Sequence, residues 1–217
     1  MKIDYAIFDL DGTLTDSSPG IINSIKYALN KMGIEENDEK KLTNFVGPSL
    51  KSTFENHYFP VEKDYKQAIK YYREYFSTTG IFENSLYDDV NELLSILKGN
   101  DITIALATAK PTYFAKIILN HFDITSYFDV LVGSHLSGQR TDKKEIILEV
   151  KDQLGLPKGE QCVMIGDREY DIIGGKHHKM NTIGVKYGYA KENELKKANP
   201  DHIITNPLQI VEIIAGV

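Results

Sequence analysis

Short apolar runs recur along the chain at 5–8, 102–107, 130–132, 162–165 and 182–185, and amphipathic stretches separate the later ones at about 88–98, 111–121, 142–154 and 169–179. Each run is too short for a helix and is bounded by Asp, Gly or Thr, which suits strands buried on both faces of a parallel sheet. Strand followed by amphipathic helix, repeated along a chain, predicts an α/β fold: a doubly wound parallel sheet with right-handed crossovers.

Residues 17–81 break that rhythm. Ile21, Ile25, Ala28, Leu29 and Met32 recur at helical spacing, and Tyr65, Ala68, Ile69, Tyr72, Tyr75 and Phe76 do so again, with no strand-like run between. We therefore expect a helical domain at 17–81 inserted into a core built from 1–16 and 82–217. Asn44-Phe45-Val46-Gly47-Pro48-Ser49 reads as a turn inside the insertion. A total of 217 residues fits a core with one insertion.

Charge narrows the partners. Twenty-five Lys and Arg against 31 Asp and Glu give a net charge of −6, without the positive field that nucleic acid binding uses. The lone cysteine, Cys162, forms no intramolecular disulfide and reads as a small buried hydrophobe. Asp4 and Asp9 interrupt the N-terminus before any signal-like apolar stretch develops, and no run of about 18 apolar residues offers a membrane span. These features predict a cytoplasmic protein without nucleic acid or membrane partners; they leave its oligomeric state open.

Two acidic motifs carry the chemistry. Asp9-Leu10-Asp11-Gly12-Thr13-Leu14 ends the first apolar run, and Gly166-Asp167-Arg168-Glu169-Tyr170-Asp171 ends the run at 162–165. Ligands of open α/β sheets bind outside the carboxyl ends of the strands, so both motifs are expected at one crevice. Crowded carboxylates without a His or Cys cluster favour a hard cation, and Mg²⁺ takes one or two carboxylates together with waters and substrate phosphate. Thr108 closes the run at 102–107, and Pro111 suits the first turn of the next helix, which places the Thr108 hydroxyl and the Ala109 amide where a phosphate meets a helix N-terminus. After Thr141-Asp142, a plausible helix start, either Lys143 or Lys144 can supply a fixed positive charge. His177 and His178 are adjacent, point to different faces and make no ligand pair.

In this order and at these strand ends, the motifs resemble those of the haloacid dehalogenase superfamily: DxDGT[LV] at 9–14, Thr108, a lysine matched by Lys143, and GDxxxD at 167–171 counted from its first aspartate. The helical insertion is similar to that superfamily's C1 cap, and the core to its Rossmann-like sheet. Further stretches, among them 45–48, 107–111, 164–175 and 184–189 with Glu194-Leu195, look like the branch of phosphoglycolate phosphatases and 5′-nucleotidases. That branch often has Thr-Ser-Lys where this chain has Thr108-Ala109-Lys110, so a hydroxyl is lost while a backbone N–H remains.

The resemblance implies a Mg²⁺-dependent phosphatase acting on a small phosphomonoester, phosphoglycolate or a nucleoside 5′-monophosphate. Asp9 would be the nucleophile and Asp11 the general acid and base. Asp9, Asp11 (through its carbonyl), Asp167 and Asp171 would hold the metal. Thr108, Ala109 and Lys143 would bind the phosphoryl group, with Gly47 and Arg73 of the cap on the substrate side. A phosphosugar mutase of the β-phosphoglucomutase type shares all four motifs, and an inactive binding module on the same scaffold is the reading from a different class. Asp11 argues against a dehalogenase, because a departing halide needs no proton.

Overall fold

The computed structural model describes residues 3–156 and 161–215; Met1 and Lys2, read above for a targeting segment, lie outside them. Contacts divide the chain into two compact units, Met1–Thr15 with Leu86–Val217, and Asp16–Ser85.

Along the chain the strands among the described residues are β1 (Tyr5–Phe8), β2 (Thr15–Asp16), β3 (Ser85–Leu86), β4 (Thr103–Pro111), β5 (Val130–Ser134), β6 (Cys162–Gly166), β7 (Asn181–Val185) and β8 (His202–Ile204). The helices are α1 (Ser18–Lys31), α2 (Glu39–Thr43), α3 (Leu50–His57), α4 (Glu62–Phe76), α5 (Val90–Gly99), α6 (Thr112–His121), α7 (Lys143–Leu154), α8 (Glu169–His177), α9 (Glu194–Ala198) and α10 (Gln209–Ala215).

The first unit is a six-stranded sheet in the order β5-β4-β1-β6-β7-β8, parallel throughout. Helices flank it, as the alternating pattern predicts, and the architecture is the doubly wound α/β fold. Buried Ile7, Ala105, Ala107, Cys162 and Met164 of the strands pack with Ile146, Ile147 and Val150 of α7 in one apolar cluster. At roughly 1.5–3 kcal/mol for each fully buried large aliphatic side chain, such clusters hold the layers together. β1 lies between β4 and β6, so the strand order reverses beside it and a crevice opens at its carboxyl end.

Pro111 is not in the first turn of a helix: β4 runs through it, and α6 begins at Thr112 with Pro111 extended at φ −54° and ψ 133°. Proline disfavours helical backbone in the residue before it, so Lys110 prolongs the strand. Beyond 185 the chain forms, besides α9 and α10, the edge strand β8, whose three residues are too short to show an alternation.

In the second unit α1 packs on α4, and α3 packs on α4. Their contact is apolar, with Ile25, Ala28 and Leu29 of α1 and Tyr65, Ala68, Tyr72 and Phe76 of α4 buried. Asp38 caps α2 and Ser49 caps α3, each accepting a backbone N–H, from Lys41 and Ser52 respectively. The chain crosses between the units on the paired β2 and β3.

Candidate active site

Asp9 is the first residue beyond β1, and its N–H donates to the Ile165 carbonyl at 2.9 Å, continuing the ladder by one step. Phe8 is paired with Leu106 on one side and Ile165 on the other, which sets Asp9 level with Ala107 and Gly166. The chain then turns tightly: the N–H groups of Thr13, Leu14 and Thr15 all point to the Leu10 carbonyl. Gly12 makes that turn at φ +85°, and a Cβ there would fall 2.2 Å from Asp167 Oδ2. Only glycine meets both demands.

Asp167 and Asp171 arrive from the end of β6 and the first turn of α8. The Asp171 carboxylate accepts the Arg168 N–H at 3.1 Å, a back-bond that fixes the start of the helix. Oxygen atoms of Asp9, Asp167 and Asp171 lie within 4.8 Å of one another. Lys143 is the first residue of α7, set by the Asp142 carboxylate accepting the Lys144 N–H at 2.8 Å. Its ammonium lies 2.9 Å from Asp9 Oδ1 and 2.7 Å from Asp171 Oδ1, and donates to the Ala107 carbonyl at 2.8 Å. Lys144 is half-buried and does not join this cluster of contacts. Of the two lysines left open by the sequence, the geometry brings Lys143 to Asp9.

Burial shapes the charges. Desolvation alone would lower the Lys143 pKa, but the carboxylates of Asp171 and Asp9 raise it above the ordinary lysine value. Burial pushes Asp171 up to about 6, with Lys143 opposing and Asp9 adding to the shift. Asp167 is raised well above the usual carboxylate range by burial and then by Asp171 and Asp9, despite the Tyr189 N–H and Arg168. The Lys143 ammonium thus faces two of the three clustered carboxylates, and Asp167 Oδ1 is buried without a hydrogen-bond partner among the described residues. An all-oxygen pocket with surplus negative charge and an orphaned oxygen fits a hard divalent cation.

Thr108 is buried and its hydroxyl accepts the Lys110 N–H at 3.2 Å, while Ala109 is half-buried beside it at the end of β4. Gly47 and Arg73 belong to the second unit: Gly47 turns the chain between α2 and α3 at φ +103°, and Arg73 lies on α4. Other contributors went unassigned in the sequence. The Tyr189 N–H donates to Asp167 Oδ2 at 2.7 Å. Glu194 fastens that loop: it accepts Arg168 Nε at 2.7 Å, the Glu169 N–H at 3.0 Å and the Lys191 N–H at 2.9 Å. Burial would raise its pKa, yet Arg168 and the two amides hold it below the usual range. Lys110 pairs with Asp11. Backbone donors leave no trace in residue identity; Lys110 did have one, a charged residue in an otherwise apolar strand.

The family profile of haloacid dehalogenase-like hydrolases matches residues 6–185. The chain belongs to this family. It is 42% identical over 90% of its length to a 5′-nucleotidase of Pseudomonas aeruginosa, covering 88% of that protein. It is also 35% identical over 95% of its length to tyrosine-protein kinase PtkA of Mycobacterium tuberculosis, covering 70% of that protein. A crystal structure of a predicted phosphatase from Clostridium acetobutylicum superposes with a TM-score of 0.94 at 43% identity, covering 100% of both chains. This haloacid dehalogenase-like hydrolase is an enzyme of the phosphatase kind, a phosphoric monoester hydrolase. No helix among its described residues is long and apolar enough to cross a membrane.

Proposed function

We propose that the enzyme is a Mg²⁺-dependent phosphatase that hydrolyses a small phosphomonoester through an aspartyl-phosphate on Asp9, with nucleoside 5′-monophosphates as the leading substrate class. The observation that carries the reading is the setting of Asp9: one carboxylate oxygen lies 2.9 Å from the buried Lys143 ammonium, beside the orphaned oxygen of Asp167. The likeness to the P. aeruginosa 5′-nucleotidase supports the substrate class, and phosphoglycolate is the second candidate.

In this reading Asp9, Asp167, Asp171 and the Asp11 carbonyl would hold Mg²⁺, which would supply charge neutralisation between an anionic nucleophile and an anionic substrate. An Asp9 oxygen attacks phosphorus as the ester P–O bond breaks, and Asp11 gives its proton to the departing alcohol oxygen. Asp11 then takes a proton from water as that water attacks phosphorus, and the bond to Asp9 breaks to release phosphate. Lys143 holds Asp9 in place and offsets its charge, while Thr108 and the Ala109 N–H bind phosphoryl oxygens. Gly47 and Arg73 act on the remainder of the substrate. Arg73→Ala should therefore lower kcat/KM for a nucleotide about tenfold more than for an aryl phosphate.

Phosphate release from a nucleoside 5′-monophosphate, phosphoglycolate, a hexose phosphate and an aryl phosphate tests the reading. Activity should vanish in chelator and return with Mg²⁺, and less well with Ca²⁺, which takes more oxygen ligands in a looser geometry. Full activity in excess chelator contradicts the metal assignment; isomerisation of the hexose phosphate without phosphate release points to a mutase.

A further inference from the structure

The two oxygens of the Asp11 carboxylate are not equivalent. Oδ2 lies 2.8 Å from Lys110 Nζ, whereas Oδ1 is buried and has no hydrogen-bond partner among the described residues. The two side chains are only 6% and 13% exposed, so water screens their attraction poorly. A buried lysine needs such a partner.

The chain around Lys110 is shaped to deliver it. Pro111 keeps Lys110 extended, and the pairing of β4 with β5 shifts register between Thr108 and Pro111. The Thr108 hydroxyl accepts the Lys110 N–H at 3.2 Å. On β5, Gly133 leaves room for the Lys110 carbonyl: a Cβ at Gly133 would fall 2.2 Å from that oxygen. Three features of neighbouring backbone and side chains thus place one lysine against Asp11.

We infer that Lys110 is a positioning residue for the proton-transferring carboxyl, clamping Asp11 through Oδ2 so that Oδ1 is the oxygen presented to the leaving group. This rests on the reading of Asp11 as acid and base. In the first displacement the proton on Oδ1 passes to the ester oxygen, which keeps the electron pair of the broken P–O bond. In the second, Oδ1 takes a proton from the attacking water. Lys110 keeps its protons throughout and donates a hydrogen bond to Oδ2. Loss of the clamp therefore matters in proportion to the need for that proton, which is large for an alkoxide and small for p-nitrophenolate.

The test compares kcat/KM of the wild type, Lys110→Met, Asp11→Asn and the double variant on p-nitrophenyl, phenyl and alkyl phosphates, with thermal unfolding to check each fold. Lys110→Met should lower the alkyl phosphate value by roughly 10²-fold and the p-nitrophenyl value by less than about tenfold. In the Asp11→Asn background the same change should add less than about threefold on any substrate, because the two residues act as a unit. Should Lys110→Met fail to fold, Lys110→Arg, which keeps the cation but displaces it, should show the same leaving-group dependence. Equal losses on all three substrates, or full losses in the Asp11→Asn background, overturn the proposal. An Asp11→Asn loss that is independent of the leaving group instead overturns the acid–base reading of Asp11, and the proposal with it.

Discussion

Lys143 and Lys144 are adjacent in sequence but differ in what their removal does. Lys143 faces two carboxylates with its side chain only 5% exposed. Lys143→Met leaves that negative charge buried and uncompensated, which should destabilise the fold by about 3–5 kcal/mol. Lys144→Met should cost no more than about 0.5 kcal/mol. Urea unfolding of the two variants measures both, and equal losses would contradict the arrangement. At this scale the sequence was informative where a motif fixed residue type and spacing, as for Asp9, Asp11, Asp167 and Asp171. It said less where the contact depends on three-dimensional placement: Lys110 stands out as a charged residue in β4, but nothing in its identity names Asp11 as its partner.

The elements owe their legibility to period and length. β1, β4, β5, β6 and β7 were readable as apolar runs because both faces of a parallel sheet are buried. β8 was not, since a three-residue strand presents no period. The five-residue helix α2 escaped for the same reason. In the second unit, the segment before α2 is tied to the chain after α3 through Glu36, which accepts from Lys41 Nζ at 2.6 Å and from the Tyr58 hydroxyl at 2.9 Å. The Lys41 hydrogen bond, then the Asp38 N–H and the Tyr58 hydroxyl, lower the Glu36 pKa from 4.5 to about 2. Because the folded value is depressed, this tie stabilises fully above the unfolded value and is lost as pH falls through the folded one. The stability difference between wild type and Glu36→Gln, measured by denaturant unfolding, should be present at neutral pH and shrink as pH falls from 4.5 towards 2. A difference that stays constant across that window means the hydrogen bonds do not depend on ionised Glu36.

Across the whole molecule, a strand order that reverses beside β1 gathers residues more than 150 positions apart, Asp9 and Asp167, at one crevice. Their convergence was predictable from the alternation of strand and helix alone; substrate identity was not, because the core motifs address only the phosphoryl group that all phosphomonoesters share. The surplus of carboxylates over cations in that crevice fits a hard divalent cation. In the proposed reaction Asp9 itself becomes phosphorylated. Acid quenching during steady-state turnover of a nucleoside 5′-monophosphate with Mg²⁺, followed by borohydride reduction and peptide mass spectrometry, reads this directly. Asp9 alone should be converted to the reduced residue expected of an acyl phosphate, and Asp9→Asn should show neither this product nor more than about a thousandth of wild-type turnover. Phosphate release at an undiminished rate by Asp9→Asn, or reduction at another carboxylate, would contradict it.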